Sequence, residues 1–215
     1  MRSARHRITR RRALGVLVCL LVSGCSLFHP KPPIEEVIAQ VAVLPFTRGG
    51  PVDGAQATGS EALPAAASTV LTAQVYDVMA GAPVWRFVPD LTVAQALTQL
   101  DTGAPVPAQA AALGKAVGAT AVLCGTVTRY HQRQGSAYGV TRPASVAFDM
   151  QLVSAGSGKV LWTGSFDETQ EPLASNLLNW WQFWEAGPRW MTVEELAHLG
   201  VERLLDELDD TIPWE

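Results

Sequence analysis

The chain has 215 residues, 48% of them hydrophobic, with 16 basic against 20 acidic side chains and a formal net charge of −4. Apolar content at that level, in a chain of this length, supports a folded domain with a sizeable core. No basic patch with interleaved aromatics occurs, and the acidic balance argues against nucleic acid as a partner.

Arginines stand at positions 2, 5, 7, 10, 11 and 12 without an acid among them, and an apolar stretch runs from Ala13 to Val22. A basic start, a short apolar core and small residues before a cut make a secretory signal, too short to span a bilayer. Val22-Ser23-Gly24-Cys25 resembles a bacterial lipoprotein signal, or lipobox. The resemblance implies diacylglycerol on the Cys25 thiol, cleavage after Gly24 and an acyl chain on the new amino terminus. Each buried methylene contributes about 0.8 kcal/mol, so one chain holds weakly and several hold durably. Thr9 to Leu14 also looks like a twin-arginine signal, although Ala13 stands where a large apolar residue is usual. In the family's sorting logic an Asp after the lipidated Cys favours the inner membrane. Ser26 is there instead, which implies the periplasmic face of the outer membrane.

Without residues 1–24 the mature chain carries 10 basic and 20 acidic side chains. Cys19 leaves with the signal and Cys25 is consumed by lipid. Cys124 then stands alone, which excludes an internal disulfide and reads as a small core residue. The expected organisation is a signal over 1–24, a lipidated tether over 25–39 and a periplasmic domain over 40–210. Pro30, Pro32 and Pro33 make the tether short and stiff.

Within the domain, VAVLPF at 41–46 is a continuous apolar run, as expected of a strand buried on both faces. A Gly-rich loop from Arg48 to Gly59 precedes an Ala-rich helix over about 62–79. Val84 to Val88 reads as a short strand. Thr92 with Gln95 forms a capping box opening a helix to Leu100. A further helix over 108–117 ends at Gly118. Ala119 to His131 is strand-like. From Ala144 to Ser154, Val146, Phe148, Met150 and Leu152 alternate with Asp149 and Gln151, and Lys159 to Phe166 returns to make a hairpin. A helix is expected over about 175–185, and a last one opens at a Thr192/Glu195 capping box. Val193, Leu196, Gly200, Leu204 and Leu208 form its apolar stripe against an acidic back. The predicted class is α/β: one domain with a mixed sheet, early strands parallel, a late antiparallel meander, and helices packed on it.

VAVLPF at 41–46, ALGKAVGA at 112–119 feeding Val122 to Val127, and Leu152 followed by GKVLW at 158–162 resemble the CsgG, LpoB and TolB-amino-terminal-like group of periplasmic α/β domains. Residues 143–149 and 166–173 look like lipoproteins related to that group. Known members are scaffolds: one activates a peptidoglycan synthase, one builds a secretion pore, and one docks on a peptidoglycan-associated lipoprotein. The resemblance implies a protein-binding envelope module without naming its partner. A self-made pore would need membrane strands of ~9–11 residues. The loops over 48–59 and 132–143 are short, polar and Gly-rich, so no spare hairpins are expected there.

No catalytic constellation declares itself, and no cofactor or metal site is expected. Ser157-Gly158-Lys159 is not a phosphate loop, because Val153 and Val160 stand where Gly and Ser/Thr are required. The 49–59 loop follows a strand, where nucleotide domains place phosphates, yet it lacks G-x-G-x-x-G and reads as a surface loop. His198, one turn after Glu194, reads as a helix-surface pair, and His131 has no ligand-type neighbour at metal spacing. Asp149 belongs to a solvated sheet face. The feature chosen as partner-binding is aromatic: Trp180, Trp181, Phe183 and Trp184, with Trp190 six residues on. Leu177, Trp181 and Trp184 share one helical face. Core packing and interfacial lipid contact stand beside partner docking as readings of the cluster. The expectation is a non-enzymatic, lipid-anchored adaptor or scaffold. A subunit of an oligomeric envelope transport or secretion assembly, itself a homo-oligomer, comes second and an envelope hydrolase third.

Overall fold

The structure, a computed structural model, describes residues 37–49, 63–101, 103–170 and 189–212. Eleven elements follow in chain order: β1 (Val41–Val43), β2 (Thr47–Arg48), α1 (Ala67–Gly81), α2 (Asp90–Leu97), α3 (Val106–Val117), β3 (Ala121–His131), β4 (Gln134–Gly135), β5 (Val140–Arg142), β6 (Ser145–Ser154), β7 (Val160–Thr169) and α4 (Val193–Asp209). The main sheet has the order β1-β3-β6-β7, with β2 also on β3. β1 and β2 run parallel to β3, and β3, β6 and β7 form the antiparallel meander, as expected.

Helices cover the sheet on both faces. One core cluster joins Val41, Val43, Leu123, Val127, Phe148 and Leu152 to Leu71, Val75 and Met79 of α1 and Leu204, Leu205 and Leu208 of α4. The other joins Ala42, Leu44, Val122, Cys124 and Val153 to Val93 of α2 and Leu113 of α3. Successive β1 residues thus enter opposite cores, which is why the run is apolar without alternation. Cys124 is buried, and burial pushes its thiol up to about 12, so it is an inert core residue.

Gly125 marks a close approach. A Cβ there would meet the Phe46 ring at 2.2 Å, and that ring packs edge-on against Phe148 with centroids 6.1 Å apart. Gly125→Ala is therefore expected to cost about 1–3 kcal/mol by overpacking. Urea titration checks it, and an unchanged midpoint would show that Phe46 swings aside freely. Gly118 caps α3 with a φ of 76°, as expected of that residue type.

Several expectations are corrected. Only Val41–Val43 of the 41–46 run is strand; Pro45, which has no N–H for a ladder, stands between it and β2, which opens after the run at Thr47. Val84–Val88 is no strand: only Phe87 bridges to Val41, although the Val41 and Val88 amides bond across that edge (2.8 and 2.9 Å). Thr92 does not cap α2. The helix opens one turn earlier after Pro89, and the Thr92 amide donates to the Pro89 carbonyl at 3.0 Å. α1 starts at Ala67 and α3 at Val106, each a few residues from the expected bound. The 132–143 segment holds a small hairpin, β4–β5, where none was expected; at two and three residues it is far short of a membrane strand. The Thr192/Glu195 capping box is present, and α4 buries Ala197, Val201 and Leu205 beside the expected stripe. The helix expected at 175–185 lies outside the described residues.

Candidate functional site

Cys25, Trp180, Trp181, Phe183 and Trp184 lie outside the described residues. Trp190 is described, and it sits at one end of the sheet. Here β3 ends at His131, β6 begins at Ser145 and β7 ends at Thr169, all in one register row. The β4–β5 hairpin projects from this end. Its turn is closed by the Ser136 amide donating to the Gly139 carbonyl (2.9 Å), while the Ser136 hydroxyl accepts from the Tyr138 and Gly139 amides (3.2 Å each). Tyr138 at the tip is 87% exposed.

Three polar side chains brace the returning segment 189–193 against this end. Gln170, buried at the end of β7, donates through Nε2 to the Arg189 carbonyl (3.2 Å) and accepts at Oε1 from the Met191 amide (2.7 Å). Gln132 accepts at Oε1 from the Val193 amide (3.1 Å) and donates through Nε2 to Glu194 Oε2 (3.0 Å). The Arg133 guanidinium donates to the Trp190 carbonyl, and the Trp190 amide donates to the Ala137 carbonyl at 2.8 Å. The half-buried Trp190 therefore lies beside the Tyr138 hairpin with its backbone fully engaged. The chain departs at Gln170 and returns at Arg189, and those two residues are hydrogen-bonded. The segment carrying the other four aromatics begins and ends at this one brace.

Electrostatics tighten it. Arg189 forks onto the Glu195 carboxylate (2.5 and 3.0 Å) while Glu195 Oε2 also accepts from the Thr192 amide (2.8 Å). The Arg189 hydrogen bond, outweighing partial burial, holds the Glu195 carboxyl below its ordinary value. A depressed carboxyl stabilises the fold above its unfolded pKa, about 4.3, and that contribution is lost as pH falls through the lower folded value. The unfolding midpoint is thus expected to drop below about pH 4.3, and less steeply in Arg189→Gln. Parallel acid profiles for the two proteins would show that the pair contributes nothing.

Inside the brace, Tyr130 is buried and its phenol finds no hydrogen-bond partner among the described residues; burial, then the nearby Glu194 charge, pushes it up to about 12. Gln74 Oε1 is likewise buried and unpartnered among the described residues, although its Nε2 donates to the Glu194 carbonyl (2.8 Å). On the opposite sheet face, a bulge after Val127 turns Arg129 onto Ser145 (2.6 Å) and Asp167. These are structural links. Asp149 is exposed, in a cross-strand row with Thr47, Thr126 and Ser165. His198 pairs with Glu202 at 3.3 Å and not with Glu194, which Gln132 takes up. Among the described residues no three His, Cys, Asp or Glu gather as metal ligands, and no helix is long and apolar enough to cross a membrane.

Tyr138, Gln132, Arg133 and Gln170 were not singled out from the sequence. Only Tyr138 carries a signal there, a lone aromatic in a Gly/Ser-rich loop.

No family model matches the chain, and no curated protein matches it. Solved structures do. The PelC dodecamer from Paraburkholderia phytofirmans is 14% identical over 79% of this chain and 86% of its own, at a TM-score of 0.45. The LpoB C-terminal domain from Escherichia coli is 16% identical over 63% and 87%, at 0.43. Lipoprotein GNA1162 from Neisseria meningitidis is 20% identical over 69% and 97%, at 0.44. At these values the likeness decides neither family nor function.

Proposed function

We propose that the chain is a lipid-anchored module of the cell envelope, held to a membrane through Cys25 and binding a protein partner at the braced end of the sheet. One observation carries the binding half of this reading. Gln170, Gln132 and Arg133 fix Trp190 beside the exposed Tyr138 hairpin, at the point where the tryptophan-rich segment leaves and rejoins the fold. Aromatics and arginines held on a rigid frame are the residue types that dominate protein interfaces. The anchoring half rests on the lipobox and the basic, apolar signal before it. The placement in the outer membrane follows from Ser26, and the role is that of an adaptor without turnover.

A second reading, an oligomeric envelope assembly, has one observation in its favour. β7 is ten residues long and, among the described residues, pairs only with β6.

Tyr138→Ala removes a ring that touches solvent over most of its surface. It is expected to leave thermal stability unchanged and to weaken partner cross-linking in intact cells, as is Trp184→Ala. Unaltered cross-linking in both would sink the docking assignment. Loss of thermal stability in Trp184→Ala would place that ring in the core instead.

A further inference from the structure

We propose that the partner adds a strand to the edge of β7: an extended segment antiparallel to β7, apolar at alternate positions and basic where it passes Asp167 and Glu168. The proposal rests on the protein-binding reading of the braced end and gives the contact by which the partner is held.

The two edges of the sheet differ. At the β1 edge the chain covers itself: the Val41 amide donates to the Arg86 carbonyl and the Val88 amide to the Val41 carbonyl (2.8 and 2.9 Å). At the β7 edge, among the described residues, no strand follows. Such an edge is a template for another strand unless charge, proline or a bulge blunts it. The one break in register with β6 falls at Leu161. From Trp162 to Phe166 there is neither charge nor proline, and the register runs unbroken to Thr169.

Register also fixes which groups face outward. The Gln170 amide donates to the Ala144 carbonyl at 3.0 Å, and this pair continues the Ser145–Thr169 register. Hydrogen-bonded pairs alternate with unbonded ones in an antiparallel ladder, so the amides and carbonyls of Ser165, Asp167 and Thr169 point away from β6. The row starts at the brace, since Thr169 precedes Gln170, which holds the residues on either side of Trp190. A partner seated on Trp190 and Tyr138 continues directly along it.

Face and charge set the chemistry of the added strand. Residues directly opposite across a ladder share a face. Those beside Trp162, Gly164 and Phe166 come under α4, which approaches β7 through Gly200 and Leu204. Arg203 of α4 reaches Glu168 at 4.0 Å, and Leu199, one turn earlier on that flank, is 37% exposed. Apolar side chains belong there, and polar ones beside the exposed Ser165. At the brace end the Asp167 and Glu168 side chains stay 70% and 51% exposed, so a Lys or Arg is drawn in and an acid is repelled. A second copy is the poorer occupant. Edge-to-edge pairing would set two α4 helices side by side, each with six carboxylates against one arginine.

The test places a photo-cross-linking residue at Ser165 or at Tyr138 of the full-length lipoprotein in intact cells. The same foreign protein is expected from both positions, and its peptide caught at 165 should alternate apolar and polar residues and carry a Lys or Arg. Ser165→Pro removes an outward N–H and spares the β6 ladder. It is expected to weaken the Tyr138 cross-link several-fold with thermal stability unchanged. In the purified complex of the unsubstituted chain, amide exchange at Ser165 and Asp167 is expected to slow several-fold relative to the free chain, and this measurement decides if Ser165→Pro fails to fold. Unchanged exchange, an acidic or helical peptide at 165, or a second copy of the chain there overturns the proposal and leaves the Tyr138 contact standing. No foreign product from either position overturns the docking reading, and the proposal with it.

Discussion

Cys25→Ser is expected to abolish stable membrane association: the wild-type chain stays in the membrane pellet through a high-salt wash, and the variant does not. The effect is all-or-none because of how acyl chains sum. At about 0.8 kcal/mol per buried methylene, a single chain binds marginally, whereas two or more make dissociation negligible. A serine hydroxyl cannot take the thioether, so the chains go with the thiol. No described helix offers a substitute span. Intact mass spectrometry of the wild-type protein gives the same answer independently, as a chain beginning at residue 25 and heavier than its amino-acid mass by the attached lipid. An unmodified wild-type mass would contradict the assignment whatever the fractionation showed.

Gln170→Leu is expected to have the next largest effect, and on a different property. The substitution keeps size and removes both ends of the brace at once. It strands the Arg189 carbonyl and the Met191 amide, which bond to Gln170 at 3.2 and 2.7 Å. Each buried polar group left without a partner costs ~1–3 kcal/mol; these two are partly buried, so the brace loses at most about 2–6 kcal/mol in all. The loss falls on segment 189–193 and on the start of α4, not on the β3–β6–β7 ladder. Amide exchange at Met191 is expected to accelerate while Phe148 and Met150 stay protected, and partner cross-linking should fall with it. Uniform acceleration across β6 would mean that Gln170 supports the whole fold and that the brace is not a separable unit.

The meander was legible because one face of β6 is wholly apolar while Asp149 and Gln151 break the other, which writes itself into the strand as alternation. Val146, Phe148, Met150 and Leu152 are all buried, and Asp149 between them is exposed. The capping box at Thr192 was legible for a similar reason, since hydroxyl, carboxylate and helix start lie within four residues. The same pattern at Thr92 misled. Pro89 at the N-cap and Asp90 in the first turn had already opened the helix, which leaves Thr92 inside it. The brace was not legible. Gln170 and Arg189 are nineteen residues apart, and Gln132 meets Val193 across sixty-one. Nothing in a glutamine's local neighbourhood announces a partner that far along the chain. The aromatic cluster stood out by composition, yet only Trp190 of its five members lies among the described residues.

The most direct test of the account is native mass spectrometry of the full-length lipoprotein, extracted from its own membranes in mild detergent. One copy of the lipidated chain with a stoichiometric foreign protein is expected, the foreign protein being lost in Tyr138→Ala. A closed homo-oligomer of the chain alone would contradict it, and would give the edge of β7, unpaired among the described residues, to assembly.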